Sequence, residues 1–333
     1  MPRRPVNFAS QPLLDIASYA RRGPGRRDQL SLGKIEHIAR TVRRTPEVMV
    51  KVLNRGGQDL GAVRHHLDYL RDRKEGELAI ETDDGERLTG PGVPKNLTED
   101  WNLDLQEHRQ RSDLDGRGRR STKLVHKLVF SMPAGTPPQK VLEAVKNFAR
   151  EEFALKHRYA MVLHTNEPHP HVHMVVKAVS EQGQRLHPRK ATLRGWRREF
   201  ARHLRVLGVP ANATERAVRG QNRSPKRDGI YRAEQRRDSW RARSRMEEVG
   251  RELLRGRLRN EPGKETLLET RKVIEWGWWE ASEILSAQGQ GELAKEVKQF
   301  VGSMPPPRTD REMIAEGLRR HHREAQAREG PSR

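Results

Sequence analysis

Four histidines fall within ten residues in the segment His164-Thr165-Asn166-Glu167-Pro168-His169-Pro170-His171-Val172-His173. Imidazole nitrogens at that density suit a metal ion. Successive residues of a strand point to opposite faces, so His171 and His173 share one face and Val172 takes the other. Pro168 to Pro170 reads as a turn. It folds the strand ending at His164 back beside the strand that carries His171 and His173. Cross-pairing of those strands lets His164 project on the same face. Three imidazoles then converge and leave positions open for water or a substrate oxygen. His169 reads as a fourth member or as the residue that closes the turn. An all-imidazole set suits Zn, Fe, Ni or Cu and does not fix the metal. An ion there could polarise a phosphate or activate water, and the cluster does not choose between these.

A nucleophile is the second question. The sequence has four tyrosines and no cysteine. Disulfides, thiolate ligands and a Cys nucleophile are excluded. Tyr19 lies in a basic lead-in, Tyr231 lies far downstream, and Tyr159 opens an apolar strand. Tyr69 lies on a helix expected over 60–74, off its Val63-Leu67-Leu70 face and beside His65, Asp72 and Arg73. A tyrosine among charges suits a phosphotyrosine-forming nucleophile. The residues alone equally allow an ordinary half-exposed helix tyrosine.

The elements that must position these groups follow from periodicity. Strands are expected over 48–53, 78–81, 125–132, 159–164 and 172–179. Helices are expected over 33–44, 60–74, 98–111 with Thr98 as N-cap, 138–154 and 192–207. The order suggests an α+β fold, a mainly antiparallel sheet with helices on one side, followed by an all-helical C-terminal extension. The domain reading is a basic arm at 1–46, a catalytic domain at 47–224 and a charged helical region at 225–333. Helices are expected there over 231–258 and 264–328. Trp276, Trp278 and Trp279 read as an interaction patch or as a buried anchor.

The net charge is +21 and the pI about 10.8 over 333 residues. Such an excess favours a polyanion. No apolar run is long enough to span a bilayer and no signal-peptide h-region opens the chain, so nucleic acid is the expected partner, without membrane insertion and in the cytoplasm. Residues 182–227 carry thirteen Lys/Arg against Glu199 and Glu215. This stretch is the expected backbone-contacting surface, with Arg189, Lys190, Arg194, Arg197 and Arg198 as its candidates. Ser131 and Thr136 are candidates for a phosphate near the scissile bond, although Ser131 reads equally as a sheet residue and Thr136 as a helix N-cap.

The motifs carry a resemblance. The histidine segment is similar to the third motif of MOB-P relaxases, of the HUH endonuclease superfamily, a group that includes the T-DNA border endonuclease of agrobacterial Ti plasmids. Val50-Lys51-Val52-Leu53-Asn54-Arg55-Gly56-Gly57 followed by Leu67-Asp68-Tyr69-Leu70-Arg71-Asp72-Arg73-Lys74-Glu75-Gly76 resembles the first motif, and Leu128-Val129-Phe130-Ser131-Met132-Pro133-Ala134-Gly135-Thr136 the second. The resemblance covers about residues 47 to 220. It implies that Tyr69 attacks a DNA phosphodiester at an origin of transfer (oriT), forming a 5′-phosphotyrosyl link that the reverse reaction reseals. It implies a divalent metal on His164, His171 and His173, with Mg or Mn first and Zn possible. Family members commonly carry Asp where this chain has Asn166. Asn can orient but cannot act as a base, so Glu167 or His169 would take that role. Arg55 and Arg73 join the implied DNA contacts. Single-stranded DNA at oriT, accessory relaxosome proteins and a type IV secretion coupling protein are the implied partners. Rival readings are a rolling-circle replication initiator, a non-catalytic basic nucleic-acid-binding protein and a metal-dependent hydrolase. Initiators usually place the tyrosine after the histidines; here Tyr69 precedes them.

Overall fold

The computed structural model describes Ile16 and residues 29–53, 57–73, 76–114, 122–221 and 239–328; for 72, 73, 76, 77, 109–114 and 328 only the backbone is described. Arg55, most of the 1–46 arm, the Ser112–Ser121 loop in large part and the basic residues 223–227 lie outside these residues. The chain divides into two compact units. The described residues of the first lie within 44–213. Those of the second are Ile16, 29–43, 214–221 and 239–328.

In chain order the described elements are α1 (Leu32–Val42), β1 (Met49–Leu53), α2 (Leu60–Arg71), β2 (Asp72–Arg73), β3 (Gly76–Glu77), β4 (Ile80–Thr82), β5 (Arg87–Leu88), α3 (Val93–Asp100), α4 (Leu103–Leu114), β6 (Val125–Ser131), α5 (Pro138–Phe153), β7 (Tyr159–His164), β8 (His171–Lys177), α6 (Lys190–Val206), α7 (Trp240–Leu254), α8 (Lys264–Ala287), α9 (Gly291–Gly302) and α10 (Asp310–Arg328). Six strands form one antiparallel sheet in the order β1-β6-β8-β7-β4-β5. The α+β, mainly antiparallel class read from the sequence holds.

The helices, however, cover both faces. Every residue of β6 is buried, and a strand buried on both sides needs cover on both. On one face Val172, Met174 and Val176 of β8 pack with Phe148 and Phe153 of α5 and Trp196 and Phe200 of α6. On the other, Val175, Val162 and Ala160 pack with Val63, Leu67 and Leu70 of α2, Leu97 of α3 and Trp101. That second layer holds Tyr69 and lies on the face of the three histidines.

Local boundaries also differ from the periodicity. α2 stops at Arg71, and Asp72 and Arg73 turn into a two-residue strand pairing with β3. Asp72 and Arg73 therefore do not share a helix face with Tyr69. The helix expected over 98–111 is two helices. Gly92 and Pro94 start α3, buried Trp101 ends it, and Asn102 adopts a left-handed φ of 52° before α4. Thr98 is thus inside α3, donating its hydroxyl to the Lys95 carbonyl, and caps nothing. Gly57 precedes α2, and its carbonyl accepts from the amides of Leu124 and Val125. A Cβ at Gly57 would lie 2.5 Å from the Val125 carbonyl oxygen, so this strap admits only glycine.

The second unit is helical. α1 packs through Ile38 and Val42 with Val218 and with Ile274, Trp278 and Leu285 of α8 and Val297 and Phe300 of α9. The span expected as one helix over 264–328 breaks at Gly289 (φ 79°) and again before α10, where Pro305, Pro306 and Pro307 intervene. The three tryptophans divide. Trp278 is fully buried and donates to the Val218 carbonyl at 2.9 Å, whereas Trp276 and Trp279 are exposed. Among the described residues no helix is long and apolar enough to cross a membrane.

One buried histidine makes the fold pH-sensitive. His126 of β6 is 8% exposed; its Nε2 bonds the Leu186 carbonyl at 2.9 Å while its Nδ1 is buried without a hydrogen-bond partner among the described residues. Burial pushes this imidazole down to about 4. The unfolded chain therefore binds the extra proton first. Stability is full above pH 6.5 and falls as the pH drops from there toward 4, by roughly 3 kcal/mol from His126. Urea unfolding at pH 7 and pH 4.5 should show most of this loss, and H126Q should narrow the gap between the two midpoints.

Candidate metal centre beside Tyr69

The β7–β8 hairpin fixes the histidines. Its register pairs His164 with His171 and Val162 with His173. Cross-strand partners point to one face, so all three imidazoles project on the α2 side of the sheet. Their ring centroids lie 4.8 to 5.2 Å apart, and one nitrogen from each comes within 4.8 Å of the others. His164 is fully buried and His171 is 9% exposed. No carboxylate belongs to this group among the described residues.

Two rings are held by backbone carbonyls. Nε2 of His164 bonds the Leu70 carbonyl at 3.0 Å, and Nδ1 of His171 bonds the His169 carbonyl at 2.9 Å. A nitrogen that donates to a carbonyl carries its proton. This leaves Nδ1 of His164 and Nε2 of His171 with lone pairs for an ion. Convergent, buried, carbonyl-oriented imidazoles fit a divalent metal.

The Leu70 contact ties the cluster to the helix of the candidate nucleophile. Leu70 follows Tyr69 directly, near the C-terminal end of α2. Leu70, Leu67 and Val63 are buried against the sheet, while Tyr69 is 50% exposed. The side chain is thus presented to solvent from a helix whose next carbonyl touches a candidate ligand. One turn earlier on α2, the His66 ring stands edge-on to His173 with centroids 6.3 Å apart. Burial, and then the charge of Lys127, push the His66 imidazole down to about 4.

The remaining sequence candidates separate. Ser131 pairs directly with His171, so it shares the histidine face. It is buried, and its hydroxyl makes a long contact of 3.4 Å to the Met132 carbonyl. Thr136 donates to the Pro133 carbonyl at 2.8 Å and closes that turn; Pro137 is the N-cap of α5. Asn166, Glu167 and His169 are exposed in the β7–β8 turn. The side chain of Arg73 lies outside the described residues, as does Arg55. Arg194, Arg197 and Arg198 belong to α6, on the opposite face of the sheet, with Arg189 and Lys190 at its N-terminal end. Arg197 reaches the Val50 carbonyl of the edge strand at 3.3 Å. The structure therefore groups the three histidines, Ser131 and the Tyr69 helix, and not the α6 cations. His66 and Lys127 join the group unforeseen. The available signals were the i−3 spacing of His66 from Tyr69 and a lysine in an apolar strand, in phase with Val129 and Ser131.

Residues 70–206 match the family described as Relaxase: MobA/VirD2-like, nuclease domain. The T-DNA border endonuclease VirD2 of Rhizobium radiobacter is 26% identical over 186 residues, covering 52% of this chain and 43% of that protein. The chain thus spans less than half the length of this relative. No solved structure matches. Together these findings support a relaxase of the MobA/VirD2 type, as the three motifs imply.

The geometry predicts separable roles for the histidines. In Mn²⁺ titrations followed by calorimetry, H164A, H171A and H173A should each weaken binding by at least about 100-fold, beyond the 10–100-fold typical of an outer partner. H169A should bind as the parent does, because only its main-chain carbonyl meets His171.

Proposed function

We propose that this protein is a metal-dependent DNA relaxase that nicks and rejoins one strand at a plasmid origin of transfer, supporting conjugative mobilization. The observation that carries the reading is the His164–Leu70 hydrogen bond, which joins a three-imidazole cluster to the residue after Tyr69. The relaxase-type match and the similarity to a border endonuclease support the same chemistry.

In this reading the oxygen of Tyr69 attacks the phosphorus of the scissile diester. The bond from phosphorus to the 3′ oxygen breaks. A 5′-phosphotyrosyl link remains on the protein, and the departing 3′ oxygen takes up a proton. Glu167 accepts the tyrosine proton, and Asn166 orients a neighbouring group by hydrogen bonding. His164, His171 and His173 would hold a divalent ion, Mg or Mn before Zn, which would supply charge stabilisation to the phosphate. Ser131, Thr136, Arg55 and Arg73 are the candidates for phosphate contact, whereas Arg189, Lys190, Arg194, Arg197 and Arg198, on the opposite face of the sheet, would meet DNA only away from the scissile bond. Attack by the free 3′-hydroxyl on the phosphotyrosine reverses the reaction. Accessory relaxosome proteins and a type IV coupling protein are the partners proposed for the helical region. The order of Tyr69 before the histidines favours a relaxase over a replication initiator.

The test is a labelled oriT oligonucleotide incubated with protein and Mn²⁺, then resolved in SDS. A covalent adduct should form, and Y69F should give none. An adduct that persists in Y69F removes Tyr69 from the role of nucleophile. Cleavage without an adduct would instead favour a hydrolase.

A further inference from the structure

The histidine face of the sheet carries one group that the proposed reaction does not use. Three register rows cross β1, β6 and β8 on this face: Met49–Ser131–His171, Lys51–Val129–His173 and Leu53–Lys127–Val175. Lys127 therefore points to the histidine side, one row from His173. It lies on the second strand from the edge and is only 5% exposed.

Among the described residues no acid forms an ion pair with Lys127. The groups whose charge it senses or influences, Lys123 and His66, are a cation and a neutral imidazole. Burial pushes its ammonium down to about 8, which still leaves it largely charged at neutral pH. Lys127 buries its stem, while its charged tip keeps contact with solvent. Packing uses only the stem, which a methionine would supply equally well. The charge on this face is thus available to an anion arriving from outside. Lys51, exposed on the edge strand and one row nearer the histidines, extends the same cationic line outward.

We propose that Lys127 contacts a backbone phosphate of the bound strand, one sheet row from the histidine cluster. A phosphate seated there flanks the scissile one and sets the register of the strand over the metal centre. The contact runs over the β1–β6 half of the histidine face, not over α6. It rests on the reading of this protein as a single-strand nickase.

The full chain is titrated into fluorescein-labelled oligo-dT in EDTA over a series of NaCl concentrations, for the parent and for K127M. Thermal unfolding of both is recorded in parallel. The parent should bind with a steep log–log dependence of affinity on salt. K127M should bind more weakly and with a slope shallower by about 0.7, the value for one phosphate contact on a single strand. It should melt no lower than the parent, since it removes a desolvated charge. A parent slope that is steep and unchanged in K127M overturns the Lys127 contact alone. Loss of a cooperative melt in K127M also overturns it, because the ammonium would then serve the fold. A parent that does not bind oligo-dT overturns the nickase reading itself, and this contact with it.

Discussion

The register of one hairpin governs the site. His164 stands opposite His171, and Val162 opposite His173. A slip by one residue would send the β8 pair to the α5–α6 face and carry Val172 and Met174 into the centre. The apolar residues of both parities guard against this. Val172, Met174 and Val176 are committed to the aromatic core under α5 and α6, so the intervening histidines have only the other face. Fold energy and site geometry are set by the same alternation. The metal-type cluster does not need separate stabilisation beyond its two carbonyl contacts.

The second constraint links that cluster to α2. The helix is anchored by Val63, Leu67 and Leu70, and at its start by the Gly57 strap against β6. The Leu70 carbonyl then receives the His164 proton. Three functions meet in consecutive or near-consecutive residues: His66 beside His173, Tyr69 facing solvent, and Leu70 orienting a ligand. This placement is what supports the proposal of Tyr69 as the nucleophile; Tyr159, by contrast, is buried in the sheet.

Much of this was legible in the sequence, because the signals were local. Period-two alternation around His171 and His173, with the proline turn before them, contains the convergence of the three rings. The residues off the Val63-Leu67-Leu70 face likewise place Tyr69 outward. What stayed hidden depends on tertiary pairing. Periodicity could not say that β6 is buried on both sides and so needs two helical layers. It could not say that α6, which follows β8 closely in sequence, packs on the opposite face, so that Arg194, Arg197 and Arg198 stand apart from the histidines. The end of α2 at Arg71 was hidden too, because Asp72 and Arg73 continue a helix-compatible pattern while their backbone pairs with Gly76 and Glu77. Lys127 stands out only through tertiary facts: its row, its burial and the absence of an acid partner among the described residues.

The central claim is that His164, His171 and His173 hold one divalent ion next to the Tyr69 helix. Anomalous scattering from crystals grown with Mn²⁺ tests it most directly. A single strong peak should lie among Nδ1 of His164, Nε2 of His171 and a ring nitrogen of His173, with Nε2 of His164 still on the Leu70 carbonyl. A peak held elsewhere, such as by Asp83, Asp84 and Asp100 around Arg158, with none among the histidines, would contradict it.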